Sequence, residues 1–169
     1  MISTNMNPTT IIASVQPKML NSVTEQLRHF PGITYFSPIT GRFDLAIEFK
    51  AADQKQVYEW VNKVRSLSGV TSTRTYTPFE GFANGKNVQP TDALALCLLQ
   101  VNDNAQKVLQ SLEQHSQVRN ASVVPGEFDI LATVYGKNQD DVLSQISKIG
   151  ELQGVRSTET LLAYRPIWA

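Results

Sequence analysis

The sequence predicts an α+β chain in which one βαββαβ unit is written twice. Three observations predict it. Sliding the chain along itself by 85 positions brings Gly41-Arg42-Phe43-Asp44-Leu45 onto Gly126-Glu127-Phe128-Asp129-Ile130, and Gly69-Val70-Thr71-Ser72-Thr73-Arg74-Thr75 onto Gly154-Val155-Arg156-Ser157-Thr158-Glu159-Thr160. At that offset Ile11–Phe79 and Leu96–Tyr164 align without a gap, with 15 identities over 69 pairs. Both halves also pass through the same succession of period-2 and period-3.6 patterns.

In the first half, Ile11–Gln16 is rich in Ile, Ala and Val and stops at Pro17, which reads as a strand. From Lys18 to Phe30 the apolar residues Leu20, Val23, Leu27 and Phe30 follow the spacing of one helix face, and Pro31-Gly32 ends it. Ile33–Thr40 is extended. Gly41 turns the chain into a strand in which Phe43, Leu45, Ile47 and Phe49 alternate with Asp44, Ala46, Glu48 and Lys50, the signature of a half-buried strand. Asp53 caps a second helix along Val57, Trp60, Val61, Val64 and Leu67, and Val70–Thr77 is the last strand.

The second half repeats the order. Leu94–Val101 is a strand, and Ala105, Val108, Leu109 and Leu112 line a helix. Val118–Val124 and Phe128–Tyr135 form the hairpin around Gly126. Val142, Ile146, Ile149 and Leu152 line the second helix, and Val155–Tyr164 closes the unit. The expected organisation is therefore a first repeat at 10–79, a linker at 80–92 with two Gly, two Asn and a Pro, and a second repeat at 93–165.

Two helices on one face of a four-stranded antiparallel sheet make the ferredoxin-like arrangement. Leu94–Leu99 is apolar on both sides, so the face away from the helices is expected to be covered. The expected architecture is two ferredoxin-like repeats packed sheet to sheet, with two independent domains as the alternative.

Lys+Arg and Asp+Glu both number 15, so net charge is zero, which argues against a chain that neutralises many phosphates alone. The halves are nearly balanced, with 8 basic and 6 acidic residues over 1–80 and 7 and 9 over 81–169. No apolar run is long enough to cross a bilayer, the first residues lack a signal-peptide order, and the single Cys97 permits no internal disulfide; the expectation is a cytoplasmic protein.

The hairpin Gly-x-Phe-Asp, followed 28 residues after its Gly by Gly-Val-x-Ser-Thr-x-Thr in both halves, resembles the effector-binding domain of the Lrp/AsnC family of amino-acid-responsive regulators. Pro31-Gly32-Ile33 is also similar to that family's turn into the second strand, and Ser116-Gln117-Val118 departs from it. The resemblance implies a dimeric α/β barrel, here within one chain, that assembles further into a homo-oligomer. It implies a small effector such as an amino acid, held near the hairpin and the Thr-rich start of the last strand. Carried over, that points to Gly41, Asp44, Thr73 and Thr75 and to Gly126, Asp129, Thr158 and Thr160. Arg42 and Glu127 join them as motif residues of opposite charge. About nine residues precede the first strand, where the family's regulators carry a helix-turn-helix, so no direct DNA binding is expected.

An Asp carboxylate can accept from an ammonium group, Thr hydroxyls donate and accept, and amides at a Gly turn can approach a carboxylate. Equally, Asp44 and Asp129 can bond the hairpin's own backbone, and Thr71, Thr73, Thr75 and Thr77 can be β-prone surface. Arg28/Glu113, Arg42/Glu127 and Arg74/Glu159 reverse sign between halves, which gives either two unlike pockets or charge complementarity between halves or chains. His29 and His115 have no second ligand at a defensible spacing, so no metal is expected; Cys97 reads as packing, Trp60 as core or rim, and Trp168 as a contact with a neighbour.

The leading expectation is a non-catalytic, regulatory effector-binding module without a cofactor, acting through its own assembly or through a partner regulator. One alternative is a small dimeric α/β-barrel enzyme of the monooxygenase or haem-handling type, which needs a haem-ligating His facing a cavity or a buried polar cluster. Another is a structural partner that competes for a regulator's oligomer interface.

Overall fold

The structure is a computed structural model that describes residues 7–84, 88–102 and 104–168. It contains β1 (Thr9–Val15), α1 (Leu20–Leu27), β2 (Ile33–Pro38), β3 (Leu45–Phe49), α2 (Gln54–Arg65), β4 (Val70–Tyr76), β5 (Glu80–Ala83), β6 (Ala93–Val101), α3 (Ala105–Glu113), β7 (Val118–Val123), β8 (Ile130–Gly136), α4 (Gln139–Gly150), β9 (Val155–Ala163) and β10 (Ile167–Trp168). The chain divides into two compact units, one holding 8–77 and 163–168, the other holding residue 7 and 78–162. Each unit is a five-stranded antiparallel sheet, in the order β10-β2-β3-β1-β4 or β5-β7-β8-β6-β9. The four repeat strands of each sheet are in ferredoxin-like order, so the α+β class with two ferredoxin-like repeats stands.

The fifth strands amend the expected organisation. Residues 80–83, read as linker, are a strand that pairs Phe82 with Ala121 and Ala83 with Asn120. Residues 167–168 do the same in the other sheet, pairing Ile167 with Phe36 and Trp168 with Tyr35. Since 168 − 83 = 85, the duplication continues past Phe79 and Tyr164. Composition hid β5: Gly81 looks like a loop residue, but a Cβ there would run into the carbonyl of Ala121 and into Ser122, so the close approach to β7 requires glycine.

The gapless alignment fails in the first strand. The Asp44 N–H donates to the Ala13 carbonyl and the Asp129 N–H to the Leu99 carbonyl. The aspartates are 85 apart and the carbonyls 86. β1 ends at Val15 and α1 begins at Leu20, whereas β6 ends at Val101 and α3 begins at Ala105, so the first connection is one residue longer, and a single 3-10 turn at Pro17–Met19 takes up the extra residue. That turn also delays α1, which begins at Leu20 and not at Lys18. A one-residue shift exchanges strand faces, so Ile11 corresponds to Cys97 and not to Leu96.

Each unit has its own core between helices and sheet. Ile11, Ala13, Val23, Leu27, Leu45, Ile47, Phe49, Trp60 and Val64 cluster in one, and Ala95, Cys97, Leu99, Val108, Leu112, Ile130, Ala132 and Val134 in the other. Trp60 is core: its ring lies 5.4 Å from Phe30 and 5.1 Å from Phe49. Trp168 packs within its own unit, 4.8 Å from the Tyr35 ring. The starts of α2, α3 and α4 carry side-chain caps, and that of α1 does not. Asp53 accepts from the Gln56 N–H at 2.9 Å, and Gln56 Oε1 accepts from the N–H of Ala52, the residue before the cap, at 2.6 Å, a variant of the capping box. Asn138 and Asp141 repeat it at α4, with 2.8 Å to the Asp141 N–H and 3.0 Å from the Lys137 N–H.

The sheet face away from the helices is buried as well. Leu94, Leu96 and Leu98 on one side of β6 are as inaccessible as Ala95, Cys97 and Leu99 on the other. The half-buried alternation expected for β3 is therefore wrong: all five of its residues are buried, Ala46 and Glu48 included.

Candidate functional site

The hairpin positions are built for the fold. Gly41 and Gly126 adopt φ of 110° and 129°, a left-handed turn that glycine makes without strain. Asp44 lies just before β3, and its Oδ2 accepts from the Val15 N–H at 2.8 Å. The ladder between β1 and β4 shifts between Ser14 and Val15, and the aspartate satisfies the amide at that irregularity. Asp129 does the same for the Val101 N–H at 2.9 Å. Both carboxylates thus bond backbone, though of the first strand of the repeat and not of the hairpin itself.

The carried-over threonines stand elsewhere. Thr73 is opposite Ala13 and Thr75 opposite Ile11, on the helix side of β4. Thr75 is four residues along β1 from the amide that Asp44 holds, about 13 Å at strand rise. Thr158 and Thr160 hold the equivalent positions in β9. Arg42 and Arg74 converge on one ring, their guanidinium carbons 5.1 and 5.2 Å from the centre of Phe43. Glu127, at the position equivalent to Arg42, offers its backbone carbonyl to Gln100 Nε2 at 3.3 Å. Arg28 pairs with Glu25 at 3.2 Å within its own helix turn.

Two surface clefts occupy equivalent places in the repeats. One of about 370 Å³ is lined by Asp92, Gln117, Tyr135, Gly136, Lys137 and Asp141. The other, about 190 Å³, includes Gly32, Lys50, Gln56 and Trp60. Subtracting 85 turns Gln117, Tyr135 and Asp141 into Gly32, Lys50 and Gln56. Asp141 is held below the usual carboxylate range, first by the Lys137 N–H, then by Gln145 and Gln117 and the Lys137 charge, against the opposing effect of burial. The Tyr135 phenol is pushed up by burial and by the Asp92 carboxylate. Because Gln56 performs the same capping without a charge, the Asp141 cluster is explained as a helix cap.

The feature that sequence reasoning missed is a polar row buried on the helix-free face of the first sheet. Trp168 is opposite Tyr35, Tyr35 opposite Glu48, Glu48 opposite Thr10, and Thr10 opposite Tyr76. Directly opposite residues share a face, so these five side chains cross all five strands in one line. Tyr35 is 0% exposed, Glu48 1%, Thr10 2% and Tyr76 4%. A ladder irregularity between Ile33 and Tyr35 sets Tyr35 on this face, leaving both Ile33 and Phe36 on the helix side. Carboxylates are seldom fully buried unless neighbours engage them, and Glu48 is engaged here. A usable signal was present: Leu94–Leu99 implied a covered face, and period-2 alternation put Glu48 on it.

Cys97 sits on the helix face, and burial pushes its thiol up to about 12, so it is packing and not a nucleophile. His29 is exposed after α1, and His115 is half-buried after α3. Among the described residues no group of three His, Cys, Asp or Glu could hold a metal ion. Nor is any helix among them long and apolar enough to cross a membrane.

The family profile described as Lrp/AsnC ligand binding domain matches residues 10–87 and 95–168. The chain belongs to that family and carries its domain twice. No curated protein matches it in sequence. Among solved structures, the siroheme decarboxylase NirDL is similar over 95% of this chain and 72% of its own, with a TM-score of 0.72 and 11% identity. Its co-complex with an iron-uroporphyrin III analogue matches equally well. A mutant chlorite dismutase from Candidatus Nitrospira defluvii is similar over 92% of this chain and 89% of its own, at TM-score 0.61 and 10% identity. A monooxygenase-type protein from Fusobacterium nucleatum covers 92% and 90%, at TM-score 0.51 and 6% identity. Identities this low establish the fold alone.

These findings correct the leading expectation. A non-catalytic effector module was expected because the family resemblance pointed to regulators and no catalytic cluster was visible in the sequence. The fold that spans nine-tenths of the chain is that of a decarboxylase and a dismutase, and the first sheet does hold a buried polar cluster. Fold and family therefore give no ground for excluding catalysis.

Proposed function

We propose that this chain is an enzyme of the haem-handling type, acting on a carboxylated iron-tetrapyrrole as substrate. The observation that carries the reading is the buried row of Tyr35, Glu48, Thr10 and Tyr76. It supplies a carboxyl group, a hydroxyl and two phenols on one face, groups that donate and accept protons. The similarity to a siroheme decarboxylase solved with an iron-uroporphyrin analogue supports the substrate class.

A resident haem fits the donor set less well than a substrate does. His29 and His115 follow helices and Cys97 faces the helix side with a neutral thiol, so none of them stands in the row. The roles left to this chain's own side chains are to orient a polar substrate and to hold or deliver a proton. In this reading Asp44 and Asp129 serve the fold.

The test is anaerobic incubation of the purified chain with iron-uroporphyrin III, followed by mass spectrometry of the pigment. Loss of CO2 from carboxylate side chains, dependent on intact protein, is the expected result. An unchanged pigment in the presence of saturating protein would contradict the reading.

A further inference from the structure

The exposed apolar side chains follow the duplication. Among the described residues the large hydrophobics left in solvent are Tyr58, Phe79, Leu143 and Tyr164. They form two pairs, Tyr58 with Leu143 and Phe79 with Tyr164, and the members of each stand 85 residues apart. One exposed apolar side chain is ordinary. Four that fall on matched places, in repeats identical at 15 of 69 aligned positions, are not scatter. Phe79 and Tyr164 lead into the fifth strands, and their N–H groups donate to the carbonyls of Val123 and Pro38. Tyr58 and Leu143 stand in mid-helix, 68% and 47% exposed, on the outer faces of α2 and α4.

The charges around this second pair are opposite in sign. Lys55, Tyr58, Asn62 and Arg65 are exposed, and their spacing puts them on one face of α2. Asp140, Leu143 and Ser147 take the same places on α4, and the exposed Glu151 is its C-cap. At helical rise, two cations about 15 Å apart bracket Tyr58, and two anions about 16 Å apart bracket Leu143. Taking every exposed charge from the first helical residue to the C-cap, α2 has Lys55, Glu59, Lys63 and Arg65, a net +2, and α4 has Asp140, Lys148 and Glu151, a net −1.

We infer that the outer face of α2 on one chain docks on the outer face of α4 on a second copy, with Tyr58 and Leu143 as the apolar anchors. A second copy is the occupant because the complementary face is carried by this same chain. Two α2 faces repel one another, as do two α4 faces, whereas α2 and α4 attract. A contact between unlike faces is heterologous. Each chain that gives its α2 face to one neighbour keeps its α4 face for the next, so assembly continues beyond two chains until a ring closes, or stays open.

The experiment is sedimentation velocity of the full chain over a concentration series, at low and at high salt. The wild-type chain is expected to associate as concentration rises, and less strongly in high salt, which screens the paired charges. Tyr58→Ser and Leu143→Ser are each expected to weaken association by about tenfold or more. Mixed one to one, they are expected to form a complex of two chains and nothing larger, through the intact α4 face of the first and the intact α2 face of the second. If Tyr58→Ser does not fold, Lys55→Glu serves in its place, with the same loss and the same rescue expected. A wild-type chain that stays monomeric, association indifferent to salt, a variant that associates as the wild type does, or a mixture no better than its two components overturns the inference.

Discussion

Asp44 and Val15 are joined by a 2.8 Å hydrogen bond from the Val15 N–H to Asp44 Oδ2, and Asp129 and Val101 repeat it at 2.9 Å. The pair closes the open end of the first strand in each repeat, where the ladder of β1 slips. The Gly-x-Phe-Asp motif is therefore explained by the fold. Asp44→Ala removes a charge-assisted bond and strands an amide, and is expected to cost about 1.5–3 kcal/mol in urea unfolding. Asp129→Ala is expected to match it. Substrate affinity measured on either folded variant should stay at the wild-type value; a selective loss of affinity would return these residues to the binding site.

The two motif glycines that open the final strand and the second hairpin differ in what surrounds them. Gly126 has φ of +129°, and nothing lies within 4 Å of where a Cβ would stand, so Gly126→Ala bears backbone strain alone, about 1–2 kcal/mol. Gly69 has φ of +100°, and a Cβ there would collide with Met19. Gly69→Ala is expected to cost that strain plus about 1–3 kcal/mol of overpacking. Equal midpoints for the two variants in thermal unfolding would contradict the packing described around the 3-10 turn.

Cys97 gives a chemical readout of the core. With its thiol pushed up to about 12, it stays neutral at pH 8 and is expected to resist alkylation in the native chain, then react at once in denaturant. The unfolded thiol ionises at lower pH than the native one, so this group opposes folding as pH rises through the range above 9. Rapid labelling of native protein would show that β6 is not buried as described.

Asp141 contributes on the acid side. Its carboxylate is held below its ordinary range in the folded state by the Lys137 N–H and its neighbours. A depressed acid stabilises the fold above its unfolded pKa, and that contribution is lost as pH falls through the folded value. Asp141→Asn is therefore expected to reduce stability near neutrality and to flatten the loss below about pH 4, the ordinary carboxylate range. Parallel acid titrations of wild type and variant check the sign.

Much of this was legible in the sequence, for physical reasons. The helices announce themselves by spacing: Val23 with Leu27, and Val108 with Leu112, each fix one buried face. Gly41 and Gly126 mark the hairpins because only a left-handed turn demands them. The first-strand register was not legible, because β6 is apolar on both faces and offers no period-2 phase to align against Ile11–Val15. Two-residue β10 and Gly-containing β5 fall below any strand signal, although Trp168 and Phe82 are what they bring to the sheets. Glu48 was misplaced because alternation assigns side chains to a face without saying whether that face is wet. Only the burial of its whole row sets Glu48 apart from an ordinary surface glutamate.

The most direct measurement is the experimental structure of the chain with iron-uroporphyrin III bound. Pigment bound at the first sheet is predicted, with the helix-free face of that sheet opened to admit it. Pigment seated at the Asp44 or Asp129 hairpins, or in the clefts beside Asp141 or Gln56, with the row untouched, would contradict it.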